Sequence, residues 1–172
     1  DKIFWTYWHQ GEEEAPIVVK ACIKRWRKLN PNWQIIVLDQ WTVNDYAAPL
    51  PINKEKLKQL PLPHQSDLIR TQLLIKYGGV WADPTCFPLK PLDDWIFANL
   101  DAGLFLFTWP GKDRPIANWF IAAEKGNELL EKLYERLIAY WNENDFKNLH
   151  GDGGTVEWWA KKLINGRSAF LS

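Results

Sequence analysis

The sequence predicts an α/β sandwich in which a mostly parallel sheet is flanked by helices. Three observations carry that prediction. Short apolar runs at residues 3–8 and 33–38 bracket a stretch with helical spacing. A second helix–strand pair, residues 65–77 and 80–83, repeats the alternation. No internal repeat, low-complexity segment or linker divides the 172 residues, so residues 1–172 read as one domain. Alternating strands and helices of this kind bury their apolar faces by layering helices on a sheet.

Each element has its own warrant. Residues 3–8 predict the first strand. Residues 16–28 predict a helix, because Val18, Cys22, Trp26 and Leu29 fall at helical spacing. Pro16 stands early, where its missing N–H is tolerated. Residues 33–38 predict a second strand. Thr42 and Asn53 are placed to cap short helical turns. Pro49, Pro51, Pro61 and Pro63 predict an irregular connection over 49–63. In the helix over 65–77, Leu68, Ile69, Leu73, Leu74, Ile75 and Tyr77 wrap most of the circumference, which predicts burial. Gly78 and Gly79 end it. Val80, Trp81 and Ala82 then form a short strand that delivers Asp83 to its carboxyl end. Residues 102–108 and 118–123 are further strand candidates. Asn127 caps a helix to about Trp141, with Leu130, Leu133, Leu137 and Tyr140 or Trp141 facing inward. Thr155 opens a last helix through Ile164.

Composition removes several function classes. Lys and Arg balance Asp and Glu at 21 each, which argues against nucleic acid as the main partner. Cys22 and Cys86 are far apart and have no metal-type spacing, so they read as free thiols in a reducing compartment. No apolar run approaches the roughly 20 residues of a membrane span. The chain starts at Asp1 and contains no Met, so a targeting segment beyond it stays open. The twelve Trp residues read mostly as core. The turn His150-Gly-Asp-Gly-Gly-Thr155 lacks the P-loop lysine and follows no strand, which rejects a Walker site. Its backbone N–H groups remain a phosphate cradle or a plain loop. The run Glu12–Glu14 reads as a solvated helix start.

The helix over 65–77 carries a charged notch on an otherwise apolar surface. Asp67 and Arg70 are three apart and therefore neighbours on one side. They form a pair that satisfies itself, and such a pair can still face a ligand. Asp83 lies at the strand edge where open α/β sheets bind ligands. The pattern S-D-L-I-R, seven residues, Y-G-G-V-W-A-D resembles the core signature of sugar transferases of the GT-A fold. It is most similar to the capsular polysaccharide synthesis transferases and the wider DXD-containing glycosyltransferases. Ile3-Phe-Trp-Thr-Tyr-Trp-His-Gln, Leu29-Asn-Pro, Val37-Leu-Asp and Asn118-Trp-Phe-Ile-Ala-Ala-Glu-Lys-Gly agree with it. The resemblance spans roughly residues 3–142.

The resemblance implies a GT-A-like, Rossmann-type sandwich. It implies a glycosyltransferase that moves a sugar from a nucleotide-diphosphate donor, a UDP-sugar, with retention of configuration. The acceptor would be a saccharide or a lipid-linked saccharide in capsular polysaccharide assembly. The setting would be cytoplasmic, with peripheral association at the inner face of the membrane. Asp83 matches the first position of the D-x-D motif, which meets ribose and metal. Thr85 stands where the second Asp belongs, a weaker ligand for the manganese or magnesium ion that the motif holds. Capsular relatives also carry Asp-x-Thr there. His150 and Asp152 are candidates to complete the metal shell. Asp67 and Arg70 would meet the ribose and sugar hydroxyls. Trp8 would stack on the base, or else serve the core; His9 and Gln10 lie just beyond. Two other readings remain. One is a non-catalytic sugar- or nucleotide-binding module on the same fold. The other is a glycoside hydrolase using Asp83 and Asp152.

Overall fold

The computed structural model describes residues 2–112 and 114–144. The expected helix from Thr155, and the turn that holds His150 and Asp152, lie outside the described residues. Five strands form one sheet: β1 (Ile3–Tyr7), β2 (Gln34–Leu38), β3 (Gly79–Ala82), β4 (Leu104–Gly111) and β5 (Arg114–Ala123). The spatial order is β2-β1-β3-β5-β4. β1 pairs in parallel with β2 and with β3, and β5 runs antiparallel to both β3 and β4. The parallel half brings the carboxyl ends of β1, β2 and β3 to one edge, and a hairpin of β4 and β5 extends the sheet beyond it.

Among the described residues four α-helices accompany the sheet: α1 (Ile17–Leu29), α2 (Lys54–Gln59), α3 (Leu62–Tyr77) and α4 (Glu128–Glu143). Strand alternation sorts the core into two faces. Trp5, Trp81 and Ile121 point to a cluster with Leu68, Leu73 and Leu74 of α3 and Leu130, Leu137 and Trp141 of α4. Phe4, Val80 and Ala122 point the other way, toward Trp26 of α1 and toward Leu92 and Ile96. The result is a three-layer sandwich. α3 lies in its packed interior, with Asp67, Leu68, Arg70, Thr71, Leu73 and Leu74 all buried.

Thr42 stands at the head of a short turn, Val43–Asp45, but its side chain makes no cap bond there, and a second expectation also fails. The stretch 49–63 is not irregular throughout, for α2 occupies part of it and α3 begins at Leu62. Proline is harmless in a first turn, where no N–H partner exists. Pro61 takes the N-cap of α3 and Pro63 falls within its first turn. Asn53 caps α2 by accepting from the N–H groups of Glu55 and Lys56. The remaining boundaries shift by a few residues, and β5 starts four residues before Asn118. Its ladder to β4 slips between Leu106 and Thr108, an irregularity that lies beside Asn118. Among the described residues no helix is long and apolar enough to cross a membrane.

Candidate functional site

The strand order reverses direction at β1. From β1 the chain leaves through α1 to β2 on one side, and it returns through α3 to β3 on the other. This reversal opens a crevice between the carboxyl ends of β1 and β3. Trp8 follows β1, and Asp83 follows β3.

Asp83 is held by backbone and side chain together. Its N–H donates to the Trp119 carbonyl at 2.8 Å, and its carbonyl accepts from the Cys86 N–H at 2.9 Å. Its Oδ1 accepts from Trp81 Nε1 at 3.0 Å and lies 3.4 Å from Arg70 Nη2. The same Nη2 lies 3.2 Å from Asp67 Oδ1. One guanidinium thus bridges two carboxylates. Asp67 and Arg70 side chains are only 6% exposed, whereas that of Asp83 is 36% exposed. The notch is therefore sealed at its base and open at Asp83.

Other groups hold Arg70 in place. Its Nη1 donates to the Asn118 carbonyl, and its guanidinium sits 5.1 Å from the Trp81 ring centre. Asn118 Nδ2 donates to Asp67 Oδ1 at 3.3 Å, and His64 Nδ1 lies 3.8 Å from Asp67 Oδ2. Two acids and one base leave net negative charge at the open end. Burial pushes the Asp83 carboxyl above its usual range; Arg70 and the Trp81 N–H oppose this, and Asp67 adds to it. The next turn carries Thr85, which is exposed, and Cys86, whose thiol burial pushes up to about 11. Cys22 and Cys86 are both free thiols.

Trp8 lies on the α1 face and packs against Ala15, Val19 and Ile23. Its indole N–H is buried and has no partner among the described residues. His9 Nδ1 is 2.8 Å from the Tyr7 hydroxyl. Asp39, after β2, turns back on its own loop and accepts from Trp41 N and from Thr42 N and Oγ1. Burial raises its carboxyl, but those hydrogen bonds outweigh the effect and hold it below the usual range. A cavity of about 360 Å³ lies at the opposite end of β3, lined by Gly78, Gly79, Trp33 and Phe97 among others. None of Trp8, Asp67, Arg70 or Asp83 lines it. Position and chemistry, rather than an enclosed cavity, make the crevice the candidate site.

Sequence reasoning gave no role to Trp81 or Asn118. The period of two places Trp81 and Asp83 on one face, so the first signal was present. Asn118 opens one of the motifs that carry the resemblance, but its approach to α3 depends on the irregular β5 ladder. For a divalent cation, Asp83 offers one carboxylate whose Oδ2 makes no hydrogen bond among the described residues. Among those residues there is no cluster of three or more His, Cys, Asp or Glu. Such a set suits a cation bound largely through a ligand's phosphates and water.

Residues 1–148 match the family described as capsular polysaccharide synthesis protein. The chain belongs to that family. This family member is 29% identical over 161 residues to the O-glycosyltransferase braB of Annulohypoxylon truncatum, covering 83% of this chain and 38% of the relative. It is 29% identical over 156 residues to the probable glycosyltransferase FCK3 of Fusarium pseudograminearum, covering 83% and 40%. It is 26% identical to the initiation-specific alpha-1,6-mannosyltransferase of Schizosaccharomyces pombe, covering 89% and 44%. The chain thus spans less than half the length of these curated relatives. Among solved structures it superposes on the PaToxG glycosyltransferase with a TM-score of 0.63 at 17% identity, over 96% of this chain and 70% of that one. The sandwich is therefore a glycosyltransferase fold.

Proposed function

We propose that this domain transfers a sugar from a nucleotide-diphosphate donor, a UDP-sugar, to a saccharide or lipid-linked acceptor in surface polysaccharide assembly. The observation that carries this reading is the half-open Asp83 carboxylate at the β1/β3 crevice, bridged through Arg70 to Asp67. Membership of the family, and relatives named as glycosyltransferases, support it.

Asp83 and Thr85 would hold a manganese or magnesium ion together with the donor's phosphates. That ion supplies Lewis acidity for the negative charge that builds up on the leaving diphosphate. The chain's own residues do the rest. Arg70 keeps Asp67 and Asp83 at fixed separation, so neither carboxylate must reorganise when a ligand arrives. Asp67 accepts hydrogen bonds from ribose or sugar hydroxyls. Trp8 offers a ring at the β1 edge for the base. His150 and Asp152 remain further candidates for the cation.

Calorimetric titration with UDP, with and without manganese, tests the reading. Metal-dependent binding is expected. Saccharide binding with no nucleotide binding would instead establish the non-catalytic module. Asp83→Ala should abolish nucleotide-sugar turnover and leave thermal stability near that of the parent; full retained turnover would remove Asp83 from the site.

A further inference from the structure

Helix α1 has an outer face that the proposed transfer reaction does not use. Its thirteen residues include Lys20, Lys24, Arg25, Arg27 and Lys28 and no acidic residue. Val19, Cys22, Ile23 and Trp26 face the core, so the basic residues are left toward solvent. The same outer face begins with two large apolar residues, Ile17 at 83% exposure and Val18 at 60%.

The turn after Asp83 joins this face. Trp26 Nε1 donates to the Cys86 carbonyl at 2.9 Å, and Arg25 Nε donates to the Pro88 carbonyl at 3.4 Å. The Arg25 guanidinium lies 5.8 Å from the Phe87 ring centre. Phe87 is 55% exposed and Leu89 84%. Around the helix, Val18 and Arg25 fall on the side that meets this turn. Ile17, Val18, Phe87 and Leu89 are thus exposed apolar side chains on a surface whose exposed charges include Lys20, Lys24, Lys28 and Lys90. None of these four lysines is in an ion pair among the described residues. Glu12 is tied up with Arg27 through two bonds and Lys20 Nζ donates to the Glu13 carbonyl at 2.5 Å, so the Glu12–Glu14 turn borders the Lys20 and Arg27 flank of the helix.

We propose that this face, α1 with the 86–90 turn, docks the domain on an anionic bilayer surface. Apolar side chains that enter the headgroup boundary, ringed by lysines that meet anionic lipid, are the chemistry of interfacial binding. The charge sign selects the occupant. A bland apolar protein partner would not require an unbroken basic helix, and nucleic acid would not require Phe87 and Leu89. The face also borders the site, since Ile17 begins the helix after β1 and Phe87 follows Asp83 by four residues. Docking there holds the crevice near the plane of a lipid-linked acceptor. That last consequence rests on the transferase reading; the docking itself does not.

The test is flotation of the 172-residue chain with phosphatidylcholine vesicles, with and without one third phosphatidylglycerol. Binding is expected only with phosphatidylglycerol and should weaken as salt rises. Lys24→Ala with Lys28→Ala should lower partitioning about tenfold or more. Phe87→Ser with Leu89→Ser should also lower it, with UDP binding unchanged. Lys132→Ala, on α4 across the sheet, serves as control and should bind like the parent. No binding by the parent chain overturns the proposal, as does binding indifferent to phosphatidylglycerol or lowered equally by Lys132→Ala. UDP binding without vesicle binding removes this proposal alone. Vesicle binding without UDP binding removes the transferase reading alone.

Discussion

Arg70 sits between one carboxylate that is almost fully buried, Asp67, and one that is partly open to water, Asp83. Removing the guanidinium leaves Asp67 buried with only Asn118 and His64 nearby. Breaking a buried pair by deleting one partner is costly, so Arg70→Ala should lose about 3–5 kcal/mol in urea unfolding. Asp83→Ala leaves the Asp67–Arg70 pair intact and should cost far less. The same geometry sets a pH dependence. Burial raises the Asp83 carboxyl in the folded state, so the folded chain holds that proton more tightly than the unfolded chain. Stability from this group is therefore greatest below the unfolded carboxylate range and falls as pH rises through the folded value. Melting curves across mildly acidic pH should show that fall in the parent and a shallower one in Asp83→Asn. Equal slopes would remove the burial argument. At this scale Asp67, Arg70 and Asp83 were legible, because charge on an apolar helix and at a strand end stands out. The bond from Asn118 to Asp67 was not, since a place in a motif does not say which helix a strand residue meets.

Among the elements, the junction between α3 and β3 is the tightest. Gly79 has φ of 100°, and a Cβ there would lie 2.3 Å from the Ile3 carbonyl oxygen. Backbone would meet backbone, so no side chain can yield. Gly79→Ala should cost more than about 2 kcal/mol by denaturant unfolding and should weaken the β1–β3 pairing that forms the crevice. Such a loss would lower nucleotide affinity although no ligand contact changed. The helical spacing in 17–29 and 128–143 and the caps at Asn53 and Asn127 could be read locally, because they depend on neighbours three or four residues away. The prolines before α3 misled, because their effect depends on whether they fall in a first turn or an interior one.

For the whole molecule, a ligand held only by the folded crevice must stabilise the fold. At about a hundredfold excess over Kd, UDP with manganese should contribute about 2.7 kcal/mol and raise Tm in the parent. Asp83→Ala should show little or none of that rise, and an equal rise would place the nucleotide elsewhere. This links the crevice to global stability without any need for the acceptor.

The α/β class, the helix faces and the charged motif were set by the sequence alone, since periodicity and capping act over a few residues. Only the tertiary structure decided that one guanidinium serves both carboxylates and that Asn118 closes the notch. It also decided that β5 runs against its neighbours β3 and β4, and that Phe87 and Pro88 meet Arg25 of the basic helix. Those facts rest on contacts between segments tens of residues apart, which packing selects and local sequence does not encode.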